Sequence, residues 1–141
     1  HEVDRINCHH NYATKEVHFG QDVWVTRKGA IRAGSDDMGI IPGSMATGSY
    51  IVRGLGNPLS YMSSSHGAGR KMSRGQARRT LTVESLTEAM RGKAWNNSQA
   101  SALLDEHPDS YKSIESVMAA QSDLTEIVHS LHQVLNYKGS K

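Results

Sequence analysis

The chain has 141 residues, 37% of them hydrophobic and 21% charged, which allows one domain with a modest core. Its formal net charge of +2 does not by itself argue for nucleic acid, and no apolar run approaches a membrane span or a secretory leader. Cys8 is the single cysteine, so an internal disulfide is excluded and a reducing, cytoplasmic setting is expected.

The first residue is His1 rather than methionine, in a segment that already reads as extended, which points to a fragment or a processed piece. "NCHHNY" (Asn7 to Tyr12) follows. In an extended segment successive side chains face opposite ways, so His9 and His10 diverge while Cys8 and His10 share a face. With His18 not far along, a zinc site is conceivable, but the spacing fits no standard finger. A single histidine given to a metal completed elsewhere, and a hydrogen-bonded strand histidine, both stay open. "DVWVT" (Asp22 to Thr26) and "SYIVRG" (Ser49 to Gly54) read as strands, and "GIIPGSMATGS" between them as a loop with short extended pieces. The small residues from Pro42 to Ser49 would let backbone amides approach an anion, although the loop lacks the GK[ST] ending of a Walker loop and a plain turn is the alternative.

"SSSHGAGRKMSR" (Ser63 to Arg74) sets an imidazole, His66, among small residues and cations rather than apolar neighbours. Gly67 and Gly69 expose backbone on either side of Ala68. Arg70, Lys71, Arg74, Arg78 and Arg79 fall together with no acid among them, either a solvated face or a patch for phosphates. If the segment is helical, Arg70 and Arg74 share a face at its start. The histidine could bind metal, shuttle a proton or attack phosphorus, and local sequence does not choose among these.

The remainder looks more helical. Ser73 is placed to cap a helix through about Leu81; Thr82, with Ser85 at N3, caps a second that Gly92 stops. "SQASALLDEH" is short and ends before Pro108, and Asp109 is placed to cap a helix through about Ala120 with Ile114, Val117 and Met118 on one face. "DLTEIVHSLHQVLNYKG" fits helical spacing and strand alternation alike. No repeat or linker appears, so residues 1–141 read as one α+β unit with a glycine-rich, strand-leaning first half.

Taken in order, "CHHNY", "VTRKGAIRA", "IIPGSMATGSYIVRG", "SHGAGRKMSR", "SYKSIESVM" and "YKG" resemble the RtcB family of RNA-splicing ligases, across essentially the whole chain and corresponding to about the last third of a family member. The resemblance implies an α+β fold with a β-rich body and peripheral helices, and on that basis strand for much of 124–137. It implies an enzyme that uses GTP and Mn²⁺ to join an RNA 3′-phosphate or 2′,3′-cyclic phosphate to a 5′-hydroxyl, through a guanylylated histidine and an RNA-ppG intermediate, in tRNA splicing or RNA repair. By motif, His66 is the nucleophile, His10 a metal ligand, and His9 structural. His10, Asn11, Pro42, Gly43, Ser44, Met45, Ser49, His66, Gly67, Ala68, Gly69, Tyr111 and Lys138 match GTP-binding positions, with Ser49, Tyr111 and Lys138 around the base. Arg70 and Arg74 match phosphate or RNA contacts.

Two departures follow from the same comparison. Ala46 stands where the family usually has glycine, which would cost about 1 kcal/mol if that position needs positive φ. The family's two-metal site also draws on an aspartate, a cysteine and two histidines from the N-terminal part, for which Cys8 is no substitute. Three readings are therefore carried: a ligase completed by a complementary N-terminal part, a non-catalytic guanine-nucleotide or RNA-binding module, and a remnant acting through protein contacts.

Overall fold

The computed structural model describes residues 5–138, so the extended segment expected at the N-terminal residue falls outside the described residues. The first element is a hairpin of β1 (Asn11–His18) and β2 (Gln21–Lys28), paired antiparallel from Asn11↔Lys28 to His18↔Gln21. Phe19 and Gly20 turn it, both at positive φ (52° and 75°), as a two-residue primed turn requires. Phe19 takes that conformation with its ring edge-on to Tyr61, centroids 5.5 Å apart.

One face of the hairpin is closed by a buried ion pair. Arg27, 1% exposed, engages both oxygens of Glu16, donates to Ser63 Oγ at 2.9 Å and Tyr12 Oη at 3.2 Å, and reaches the Tyr61 carbonyl at 2.9 Å. His18 Nε2 lies 2.7 Å from Glu16 Oε2. A guanidinium buried this deeply is tolerable only because its donors find partners, and the contacts to Tyr61 and Ser63 tie the hairpin to the body.

The body holds β3 (Ala30–Arg32), β4 (Met38–Ile41), β5 (Ser49–Gly54) and β6 (Ser63–Ser65). β3 pairs with β6, and β4 with β5, both antiparallel. Two short helices follow. α1 (Arg74–Thr80) is capped by Ser73 as expected. α2 (Val83–Ala89) opens on a reciprocal Thr82–Ser85 capping box, and Gly92 beyond its end sits at φ 78°. Ser85 Oγ also lies 3.1 Å from His107 Nε2. Because His107 Nδ1 accepts the Asp109 N–H at 3.0 Å, the neutral ring carries its proton on Nε2. It is thus a donor that anchors the cap, not a base for the serine.

β7 (Ala94–Trp95) leads into a 3₁₀ segment, Asn97–Glu106, and a second 3₁₀ turn, Pro108–Ser110. α3 (Ile114–Ala120) is shorter than the sequence suggests: Ser113, not Asp109, caps it, accepting from the Ser116 N–H at 3.1 Å. Asp109 lies in the 3₁₀ turn that Pro108 opens, where its own N–H is taken by His107, so it cannot begin the helix.

β8 (Thr125–Leu131) settles the ambiguous tail as strand, joining β4 and β5 in the order β4-β5-β8, with a bulge at Ile51/Val52. β9 (Leu135–Asn136) pairs in parallel with β7. A strand-rich first half, followed by three α-helices interspersed with three further strands, makes the fold α+β.

Two apolar clusters organise these pieces. Ile31, Ile41, Val52, Ile114 and Met118 bury α3 against the sheet. Met45, Leu86, Met90, Ala100 and Leu103 join α2, the long 3₁₀ segment and, through Met45, the loop between β4 and β5. Among the described residues no helix is long and apolar enough to cross a membrane.

Candidate functional site

The loop from Pro42 to Gly48 is fixed from below and from within. Met45, 2% exposed, plugs it into the second cluster. Ser44 N–H donates to Thr47 Oγ1 at 2.7 Å, Thr47 N–H returns to the Ser44 carbonyl at 3.3 Å, and Gln133 Nε2 reaches that carbonyl at 2.9 Å. Gly43 must be glycine, since a Cβ there would fall 2.0 Å from the Gly48 carbonyl oxygen. Gly43 N–H donates to Ser49 Oγ at 3.3 Å. Two amides expected to face a nucleotide are thus already paired with Thr47 and Ser49, and an incoming anion must share or displace those bonds. Ala46 is not among the positive-φ residues. Its methyl packs against the second cluster, so alanine carries no strain at this position.

The two histidines are aligned by backbone. Gly29, at φ 69° just after the hairpin, donates its N–H to the His10 carbonyl at 2.8 Å and accepts the His66 N–H at 3.1 Å. The rings of His10 and His66 consequently stack, 4.1 Å apart and 11° from parallel. β6 delivers His66, and Gln121 Oε1 holds Ser65 N–H at 2.9 Å. Burial first, and His10 second, lower the His66 pKa, with the Ile40 backbone opposing. The ring is therefore neutral near pH 7. Its Nδ1 is buried with no completed hydrogen bond. His9 turns the other way, its ring edge toward Tyr12 at 5.9 Å, as alternation implies.

Beside the loop lies a cavity of about 140 Å³ lined by Pro42, Gly43, Ser44, Gly67, Ala68, Glu106, Tyr111 and Lys138. Every lining residue except Glu106 was singled out in the sequence. Glu106 is the hub of this wall: Oε1 accepts from Arg70 at 3.0 Å and Arg74 at 2.7 Å, and Oε2 from Tyr111 Oη at 2.8 Å, with Lys138 Nζ at 3.4 Å. Burial pushes its carboxyl up, but Tyr111, Lys138 and the two arginines outweigh that and leave it below the ordinary carboxylate range. Burial and the adjacent Glu106 raise Tyr111 to about 12, so it remains a phenol.

Arg70 does not start a helix, contrary to the shared-face expectation. Ser73 caps α1 at Arg74, and Arg70 sits in an isolated antiparallel bridge with Tyr111, its guanidinium 4.6 Å from the ring centroid. The two arginines still converge, through Glu106. Glu106, Gln121 and Gly29 escape sequence reasoning because each acts on a residue far away in the chain; the acidic pair before Pro108 was the visible hint.

Metal donors are sparse. Among the described residues no group of three histidine, cysteine, aspartate or glutamate side chains could hold an ion. Cys8 packs against the first cluster, and its Sγ accepts from the Ile40 N–H at 3.5 Å. His18 is committed to Glu16. His10 alone does not make a metal centre, so these donors do not fit one by themselves.

A model of the RtcB family, described as tRNA-splicing ligase RtcB, matches residues 1–139. The chain belongs to the RtcB family. It is 51% identical over 138 residues to the RNA-splicing ligase RtcB of Escherichia coli K12, covering 97% of this chain and 33% of that protein. The RNA-splicing ligase RtcB of Mycobacterium tuberculosis is 35% identical over 131 residues, covering 79% of this chain and 30% of the relative. The tRNA-splicing ligase RtcB of Nanoarchaeum equitans is 34% identical over 155 residues, covering 92% and 32%. This RtcB-family chain thus spans about a third of the length of these relatives.

Proposed function

We propose that this chain carries the nucleophile and the guanine pocket of a GTP-dependent RNA ligase that joins 3′-phosphate or 2′,3′-cyclic phosphate ends to 5′-hydroxyl ends in tRNA splicing or RNA repair. The observation that carries the reading is the convergence, on one face, of a neutral, partly enclosed His66 and a cavity bounded by the Pro42–Ser44 loop, Tyr111 and Lys138. With Nδ1 enclosed, Nε2 is the ring atom left to meet phosphorus. It would attack the α-phosphate of GTP, forming an N–P bond as pyrophosphate leaves. The RNA 3′-phosphate would then take GMP from the histidine, and the 5′-hydroxyl would displace GMP to close the phosphodiester. Lys138 would supply a donor for guanine O6, and Glu106, whose oxygens are taken by Arg70, Arg74, Tyr111 and Lys138, would position that donor.

Mn²⁺ is expected from the family resemblance, but the described residues contribute only His10. A complementary N-terminal part would bring the other ligands. The same scarcity of donors favours a second reading, a guanine-nucleotide or RNA-binding module without catalysis. Equilibrium binding of GTP against ATP tests the pocket. The reading predicts preference for GTP, lost in Lys138→Ala and weakened in Tyr111→Ala; equal affinity for the two nucleotides would refute it.

A further inference from the structure

Resting on that reading, we propose that Arg78 extends the Arg70–Arg74 pair into a three-arginine track for the RNA backbone, and that Asp105 is the residue that positions all three. The arginines recur every four residues, yet only the second and third lie on α1. What gathers them is one residue of the long 3₁₀ segment. The Asp105 carbonyl accepts from Arg70 Nη1 at 2.6 Å, its Oδ2 from Arg74 Nη1 at 2.5 Å, and its Oδ1 from Arg78 Nη2 at 3.1 Å. Asp105 is 4% exposed. The side chains of Arg74 and Arg78 remain 63% and 59% exposed, against 22% for Arg70.

Each outer guanidinium is therefore held at one edge and open at the others, the state in which a planar donor fork is ready for a phosphate oxygen. The charge balance agrees. Among the described residues, the ion pairs of Arg70, Arg74, Arg78 and Lys138 run to Asp105 and Glu106 alone, leaving two positive charges in excess. A cluster serving packing alone has no need of that excess. Arg78 does not line the guanine cavity, and it stands beyond Arg74 on the same helix, so phosphodiesters of a bound strand suit it better than the phosphates of GTP.

Binding of a short 3′-phosphorylated single-stranded oligoribonucleotide to this chain, measured over a salt series, tests the proposal. Arg78→Ala should weaken binding about tenfold and flatten the slope of log K against log salt by about 0.7, the share of one phosphate contact on a single strand. Arg78→Lys should restore much of both, and GTP affinity should not move. Asp105→Asn separates positioning from charge. Charge alone predicts tighter binding, since a negative group is removed; positioning predicts weaker binding. Thermal melting of each variant shows whether it folds, and Arg78→Ala keeps the test open if Asp105→Asn does not. A fall in GTP affinity rather than RNA affinity in Arg78→Ala, a lower melting temperature with unchanged RNA binding, tighter binding by Asp105→Asn, or no binding by the unaltered chain would each overturn it.

Discussion

Gly29 shows how much of the site one backbone position decides. Its left-handed conformation lets its N–H face His10 and its carbonyl face His66, and the stacked imidazoles follow from those two bonds. A Cβ on Gly29 would meet nothing within 4 Å, so Gly29→Ala adds no clash and costs only the left-handed backbone strain of about 1–2 kcal/mol. The expected outcome is a folded protein, by thermal melting, whose His66 reacts more slowly than that stability loss accounts for. The histidine motif was legible in "SHGAGR", whose neighbours are too small to make a structural imidazole. The mate that aligns it was not, because a glycine between "RK" and "A" carries no local sign of the conformation it must take.

At the scale of elements, the hairpin and the loop between β4 and β5 each depend on one buried anchor. For the hairpin it is the Arg27–Glu16 pair, and Arg27→Ala should destabilise the protein by about 3–5 kcal/mol, since it strands a carboxylate inside. Hydrogen bonding from Arg27, against the cost of burial, lowers the Glu16 pKa from 4.5 to about 2. A depressed carboxylate contributes stability that is complete above its unfolded value and lost as pH falls through its folded one. Acid titration followed by near-UV circular dichroism should therefore show the hairpin contribution fading between pH 4.5 and 2, with Glu16→Gln already weaker at neutral pH. For the loop the anchor is Met45, and Met45→Ala should cost about 2–5 kcal/mol and loosen GTP binding further than the fold. Strands and caps were readable here: period-two runs gave β2 and β5, and Ser73, Thr82 and Ser85 marked two helix starts. Asp109 misled because a residue after proline can serve a 3₁₀ turn as readily as a helix, and Ser113, four positions on, carries an equally good cap.

For the whole molecule, the balance of donors matters most. The described residues stack His66 on His10 and set a small cavity beside a cationic wall, yet they hold no group of three side chains able to bind a metal ion. They also leave Val17, Phe19 and Trp24 exposed at 64%, 64% and 73% along the hairpin. Both facts are consistent with the complementary part proposed above for a chain about a third as long as these relatives. Co-expression with the N-terminal portion of a relative should raise soluble yield, as measured by size-exclusion chromatography. Seven of the eight cavity residues lie in the motifs that carry the family resemblance. Sequence reasoning missed Glu106 and Asp105, whose partners lie at Arg70, Arg74 and Arg78, because ion pairs at such separation leave no periodic trace.

On the proposed function, His66 is expected to take GMP only when the rest of a metal site is supplied. Incubating the chain with α-labelled GTP and Mn²⁺, alone and with a complementary N-terminal part, and following acid-labile label on the protein, tests this directly. Label is expected only with both pieces present, and none in His66→Ala. Label on the chain alone, or label that survives His66→Ala, would contradict the proposed function, as would an unlabelled complex shown to have assembled.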